Sequence, residues 1–160
     1  ETLQDLGMHR KVQLIVSGGI RSGADVAKAL AMGADAVSIG TAAMMAVGCN
    51  KPVYHDDYRA IGVEPGYCNH CHTGRCPVGI TTQDPELERR LPPEKGQRLL
   101  RNYLKTMVYE LQTLARACGK SHVHNLEPQD LVATTIEAAA MAKLPLAGTD
   151  WIPGSGRDGF

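Results

Sequence analysis

The stretch Tyr67–Ile80, YCNHCHTGRCPVGI, packs Cys68, His70, Cys71, His72 and Cys76 into nine consecutive positions. Thiols this close together bind an iron-sulfur cluster, complete a tetrahedral zinc site, form a redox pair, or are plain structural cysteines. The spacing Cys68-x2-Cys71-x4-Cys76 offers three thiolates at short range. A zinc ion would want a fourth ligand, for which His70, His72 or the more distant Cys49 could serve. Cys68 and Cys71 do form a C-x-x-C pair, but they neither follow a strand nor open a helix, as thioredoxin-like pairs do.

Cys76-Pro77 resembles the loops that hold clusters in ferredoxins, where a proline turns the chain away after the last ligand. His70 and His72 flank Cys71 and read either as solvent-facing loop residues or as donors to a bound metal. His55, His122 and His124 lie in polar segments and are assigned no role. The total of five cysteines, with Cys49 and Cys118 outside the cluster, is odd and unevenly spread. That is unlike the framework of a small secreted disulfide scaffold, and it points to a reducing compartment in which clustered thiols bind metal.

A second group of residues suits an anion. SGGIRSGADV places Gly18 and Gly19 directly after an apolar run, and SIGTAAM places Gly40 and Thr41 after another. Glycines at such strand ends let backbone N-H groups approach a ligand closely, and the following helix aims its partial positive end at the same place. Two consecutive strand ends of this kind make a phosphate cradle. In (β/α)8 barrels such cradles are built after the last two strands. The plainer reading is that the glycines only make tight turns.

The elements that must position these groups are legible. VQLIVS, residues 12–17, is a short β-branched run ending at Gly18-Gly19 and reads as a buried strand of a parallel sheet. SGADVAKALAMG has Val26, Ala27, Leu30 and Ala31 at helical spacing, with Gly33 as a stop. ADAVSIG gives a second buried strand, and TAAMMAVG a short helix. This βαβα order belongs to a parallel sheet covered by helices. Two strands do not close such a sheet, so the chain is expected to be cut from something longer.

After Cys49 the period is lost, and NKPVYHDDYRAIGVEPGY reads as a long functional loop. From Gln97 an apolar stripe returns through Leu100, Tyr103, Leu104, Met107, Val108, Leu111, Leu114, Ala115 and Cys118, ending at Gly119. Cys118 on that face reads as a small buried hydrophobe. A last helix is expected from near Pro128 to a stop at Pro145, followed by an irregular tail. The resulting segments are 1–48, the last βα units; 49–96, the cysteine loop; 97–145, a helical segment; and 146–160, the tail.

Seventeen basic and seventeen acidic residues in 160 cancel, and no basic block stands out, which argues against a nucleic-acid partner. No apolar run approaches the roughly 20 residues that span a bilayer. A cytoplasmic location with no membrane partner is expected.

LIVSGGIRSGADVAKALAMGADAVSIGTAAMMAVGC followed by CHTGRCPVGITTQDPEL resembles the carboxyl-terminal part of the FMN-binding synthase domain of glutamate synthase large subunits, from about Val12 to Ala117. CNHCHTGRCPVGITTQDPELE and HNLEPQDLVATTIEAAAMA are similar to one branch, the glutamate-synthase-like subunits of methylamine-glutamate N-methyltransferases (N-methylglutamate synthases). The resemblance implies the carboxyl-terminal part of a (β/α)8 barrel with FMN at its mouth. Gly18, Gly19, Gly40 and Thr41 fall on the FMN phosphate turns. It also implies a [3Fe-4S] cluster on Cys49, Cys71 and Cys76.

The family separates the first two ligands by a handful of residues, whereas 21 lie between Cys49 and Cys71 here. Cys68 could therefore replace Cys49 or join as a fourth ligand, which leaves [4Fe-4S] open. Ser17 also stands where many relatives carry an acidic residue.

The implied activity is reductive amination of 2-oxoglutarate to glutamate, or formation of N-methylglutamate from methylamine. The implied partners are a glutaminase-type or other amidotransferase-like subunit and an electron-donor subunit or ferredoxin, in a hetero-oligomer. The catalytic side chains would lie on the first six barrel strands, outside this sequence, and none is named. The competing expectation from another class is a zinc-stabilised interaction module.

Overall fold

The computed structural model describes residues 2–8 and 11–154. In chain order the elements are α1 (Thr2–Asp5), β1 (Ile15–Ser17), α2 (Gly23–Ala31), β2 (Ala36–Ser38), α3 (Thr41–Val47), α4 (His55–Ala60), α5 (Pro85–Glu88), α6 (Pro93–Ala117) and α7 (Ile136–Ala142). Short 3-10 turns lie at Pro52–Tyr54, Val123–Asn125 and Pro128–Asp130. The chain divides into two compact units, Glu1–Ser38 with Val108–Phe160, and Ile39–Met107. The fold is mixed α/β, mostly helical, with one two-stranded parallel sheet among the described residues.

In the first unit, β1 and β2 pair in parallel with Ile15 opposite Ala36, Val16 opposite Val37 and Ser17 opposite Ser38. Helix α2 makes the crossover that a parallel pair requires. It starts at a reciprocal cap: the Ser22 hydroxyl accepts from the Asp25 N-H, and the Asp25 carboxylate accepts from the Ser22 N-H. The helix ends at Gly33, whose φ of +100° is a conformation that favours glycine. Asp35 then ties the entry of β2 to β1, its Oδ2 accepting from Leu14 N at 2.7 Å and its N-H donating to the Leu14 carbonyl at 2.9 Å.

Val26, Ala27, Leu30 and Ala31 turn inward from α2, and Leu111 and Ala115 do so from α6. The Glu110 carboxylate accepts from the N-H of Gly23 at 2.7 Å, fixing α6 to the start of α2. A smaller core of Ala133, Ala139 and Leu144 is closed by a bridge between Ala133 and Leu146. In the second unit the deeply buried side chains are Tyr58, Pro77 and Val78.

Several expectations change. The strands are shorter than the apolar runs around them and only half-buried: Val16 and Val37 are partly covered on the side of α2, whereas Ile15 on the other face is 65 % exposed. The stretch expected to be a long loop contains α4, started after Pro52 with Asp56 and Asp57 in its first turn, and the brief α5 lies beyond it, within the segment 49–96. Helix α6 begins at Pro93, and Cys118 is exposed just beyond its end. Pro128 opens only a 3-10 turn, while α7 starts at a Thr135 cap and stops at Lys143, whose φ is +54°. The tail is irregular as far as Gly154, and residues 155–160 lie outside the described residues. Among the described residues no helix is long and apolar enough to cross a membrane.

Candidate functional site

All four clustered thiols belong to the second unit, and three local devices position them. The first is the end of α3. Gly48 closes that helix in the left-handed conformation, φ +114°, while the Cys49 N-H returns to the Met44 carbonyl at 2.9 Å. Asn50 follows with φ +60°, a conformation that Asn tolerates better than most residues, and reverses the chain just past the thiol.

The second device is the turn around Cys71. The Thr73 N-H and hydroxyl both donate to the His70 carbonyl, at 3.1 and 2.9 Å, and the Arg75 N-H donates to the same hydroxyl at 3.2 Å. His70 and His72 stack with ring centres 6.3 Å apart, and Cys71 between them in sequence is exposed.

The third device is the loop Cys76–Thr81. The Gly79 N-H donates to the Cys76 carbonyl at 3.1 Å, closing a turn behind the buried Pro77. Arg90 holds this loop to α4. Its guanidinium donates to the Pro77 carbonyl at 2.7 Å, and to both oxygens of Asp57 at 2.9 and 3.2 Å, while lying 4.7 Å over the Tyr54 ring. The Asp57 contact pushes the Arg90 pKa up, so the fork is permanently charged.

The electrostatics couple the thiols. Burial pushes the Cys49 thiol up, and charge on Cys71, Cys76 and Cys68 pushes it further. Tyr58 is raised to about 12 by burial and by the charges of Cys49, Cys68 and Cys76, which keeps its phenol protonated beside them. Cys76 moves the other way. Burial alone would raise its pKa, but the neighbouring N-H groups of Thr81, Ile80 and Val78, with the Thr81 hydroxyl, lower it overall.

That arrangement bears on what the loop can hold. Thr81 Oγ1 is buried and lacks a hydrogen-bond partner of good geometry within the protein, although it faces the Cys76 sulfur. A buried hydroxyl left this way costs stability unless an electron-rich acceptor sits in front of it. A thiolate that carries iron, surrounded by donors, is such an acceptor, and hydrogen bonds to sulfur are a principal control on cluster potential. Among the described residues no three His, Cys, Asp or Glu side chains gather as they would around one metal ion. In an iron-sulfur cluster, by contrast, each thiolate would bind its own iron rather than share one ion.

The glycine turns are each described in their own unit. Gly18 and Gly19 have φ of +103° and +71°, and a Cβ at either would meet nothing within 4 Å, so this backbone faces open space. The start of α2 is taken: the Arg21 and Ser22 N-H groups go to Asp25 and that of Gly23 to Glu110. The open backbone of this region in the first unit is therefore the glycine pair rather than the helix end. In the second unit Gly40 precedes α3, whose first turn has no side-chain cap, and Thr41 is its first residue.

Sequence reasoning missed Asn50, Tyr58, Thr81 and the Arg90–Asp57 pair. The readable signals were an Asn after Gly-Cys at a helix end, and a hydroxyl five residues beyond Cys76.

Residues 1–121 match the family described as "Conserved region in glutamate synthase". The chain is 65% identical over 156 residues to a "Glutamate synthase large subunit-like protein" of Rhizobium meliloti (strain 1021), covering 98% of this chain and 35% of that protein. It is 42% identical over 126 residues to the "Archaeal glutamate synthase [NADPH]" of Methanocaldococcus jannaschii, covering 79% of this chain and 22% of that one. To the chloroplastic ferredoxin-dependent glutamate synthase of Oryza sativa subsp. japonica it is 38% identical over 117 residues, 72% of this chain and 6% of the other. The chain thus spans about a third or less of the curated relatives it matches. With a match over residues 1–121 that takes in both glycine turns and all four clustered cysteines, the chain belongs to the glutamate synthase family.

Proposed function

We propose that this chain is the cofactor-holding carboxyl-terminal part of the barrel of a glutamate synthase-type oxidoreductase. In this reading Gly18, Gly19, Gly40 and Thr41 hold an FMN phosphate through backbone N-H groups. Cys49, Cys71 and Cys76 bind an iron-sulfur cluster, [3Fe-4S], with Cys68 alongside as the residue that would make a [4Fe-4S] site. When bound, the cluster would pass electrons to the flavin, which would supply hydride to the imine of 2-oxoglutarate and an amine. The observation that carries the proposal is the Cys76 loop, with its turn closed by the Gly79 N-H, its buried Pro77 and the buried, unpartnered Thr81 hydroxyl, within a family-matched segment.

The chain's own residues position and shield. Asn50 and Arg90 fix the loops that bear Cys49, Cys68 and Cys76, and buried Tyr58 adds a neutral phenol to the wall of the thiol site. The partners would be a glutaminase-type or other amidotransferase-like subunit and an electron-donor subunit or ferredoxin, in a cytoplasmic hetero-oligomer. Ammonia as the amine would yield glutamate, and methylamine would yield N-methylglutamate.

The test is a visible spectrum with iron, sulfide, zinc and flavin analysis of the full-length protein purified without oxygen, followed by an amine screen with 2-oxoglutarate. Flavin with three or four irons per chain supports the reading. A colourless protein with stoichiometric zinc overturns it in favour of an interaction module.

A further inference from the structure

Asn50 makes more connections to the thiol site than any ligand there requires. Its side-chain Oδ1 accepts from the N-H of Gly66 at 3.0 Å and of Cys68 at 3.3 Å, residues 16 and 18 positions away. The Nδ2 of the same amide donates to Cys49 Sγ at 3.6 Å, with Met45 Sδ at 3.9 Å. One residue thus touches the Cys49 turn and the Cys68 loop, the two places that compete for the third ligand position.

The chemistry of the amide explains the residue type. A single planar group presents an acceptor to two backbone N-H donors and a donor to a sulfur. Aspartate keeps the acceptor but loses the donor, and glycine keeps the left-handed backbone but loses both. We infer that Asn50 is a positioning residue that holds Cys49 and Cys68 in one thiol site, so that Cys68 is a built member of that site. The inference deepens the cluster reading, and only its consequence for iron retention rests on that reading.

The test compares wild type, N50G and N50D as full chains, metal-free and reduced. Iodoacetamide labelling is followed cysteine by cysteine by peptide mass spectrometry, with exposed Cys118 as the internal reference. Removing the brace in N50G is expected to speed Cys68 labelling about tenfold relative to Cys118, as the loss of one or two hydrogen bonds from a local opening equilibrium would. N50D retains the acceptor for Gly66 and Cys68, so its Cys68 keeps the wild-type rate. Its carboxylate beside Cys49 makes that thiol several-fold slower.

After iron loading, N50G is expected to lose iron to a chelator faster than wild type, and N50D to stay near wild type. Equal Cys68 rates in wild type and N50G would overturn the inference. So would N50D exposing Cys68, a comparison that decides the matter even if N50G fails to fold. A wild-type protein that takes up no iron would sink the cluster reading alone, because labelling of the metal-free chains still decides whether the brace exists.

Discussion

Gly79 stands directly against the backbone of Leu87: a Cβ on Gly79 would lie 2.2 Å from the Leu87 carbonyl oxygen and 3.1 Å from its carbon. Because Gly79 also has φ +83° and closes the turn on Cys76, this contact fixes how the cysteine loop lies on α5. Gly79→Ala is therefore expected to cost at least about 2 kcal/mol, from left-handed strain of roughly 1–2 kcal/mol plus a backbone clash that no rotamer relieves. Urea unfolding measures it. Wild-type stability would show that the loop can shift off α5 without penalty.

Thr81→Val replaces the buried hydroxyl with a methyl of equal size. On the cluster reading it should make the midpoint potential more negative by roughly 20–60 mV, the one-electron equivalent of a hydrogen bond of about 0.5–1.5 kcal/mol. The sign follows because a donor stabilises the more negative, reduced state. Potentiometric titration followed by electron paramagnetic resonance reads the shift, and Thr81→Ser should restore the wild-type value.

Arg90→Lys keeps the charge but loses the fork that reaches Asp57 and the Pro77 carbonyl together. A loss of about 1–3 kcal/mol in unfolding free energy is expected, since hydrogen bonds to charged groups are worth that much and a lysine cannot make both. If the ion pair were a surface ornament, the change would be within a few tenths.

Asp25 is held down to about 2, from a usual value of 3.8, first by its contact with Lys28 and then by the Arg21 N-H, against a smaller opposing effect of burial. A folded-state pKa below the unfolded one stabilises the protein above pH 4 and stops doing so as pH falls through about 2. Thermal unfolding between pH 2 and 5 should show this slope in wild type and a shallower one in Asp25→Asn. Ser22→Ala, which removes the other half of the cap, should cost about 1 kcal/mol at neutral pH.

Local signals were legible where a residue's role is set by its own neighbours in sequence. Val26, Ala27, Leu30 and Ala31 at helical spacing, Gly33 and the β-branched Ile15-Val16 announced α2, its end and the first strand. Helix α4 was missed because His55–Ala60 is only six residues long, too short to show a period. Cys118 was misplaced because helical spacing says which residues share a stripe, not where the helix ends. Asn50 could not be found at all: its partners Gly66 and Cys68 are joined to it by a fold, not by any spacing rule.

Membership of the family was written in the order of the glycine turns and the Cys-His-x-x-x-Cys-Pro segment. The choice among the thiols was not, since it depends on which loops meet.

The short parallel ribbon has a consequence for the chain in solution. Leu14 and Ile15 are 42 % and 65 % exposed, and the outer edges of β1 and β2 have no third strand beside them among the described residues. An apolar strand with an open edge is adhesive toward its own kind. On the barrel reading the neighbours of these edges are further strands of the same sheet, so Ile15→Lys, a charge on a strand that the sheet would enclose, should lower the urea midpoint of the full-length protein.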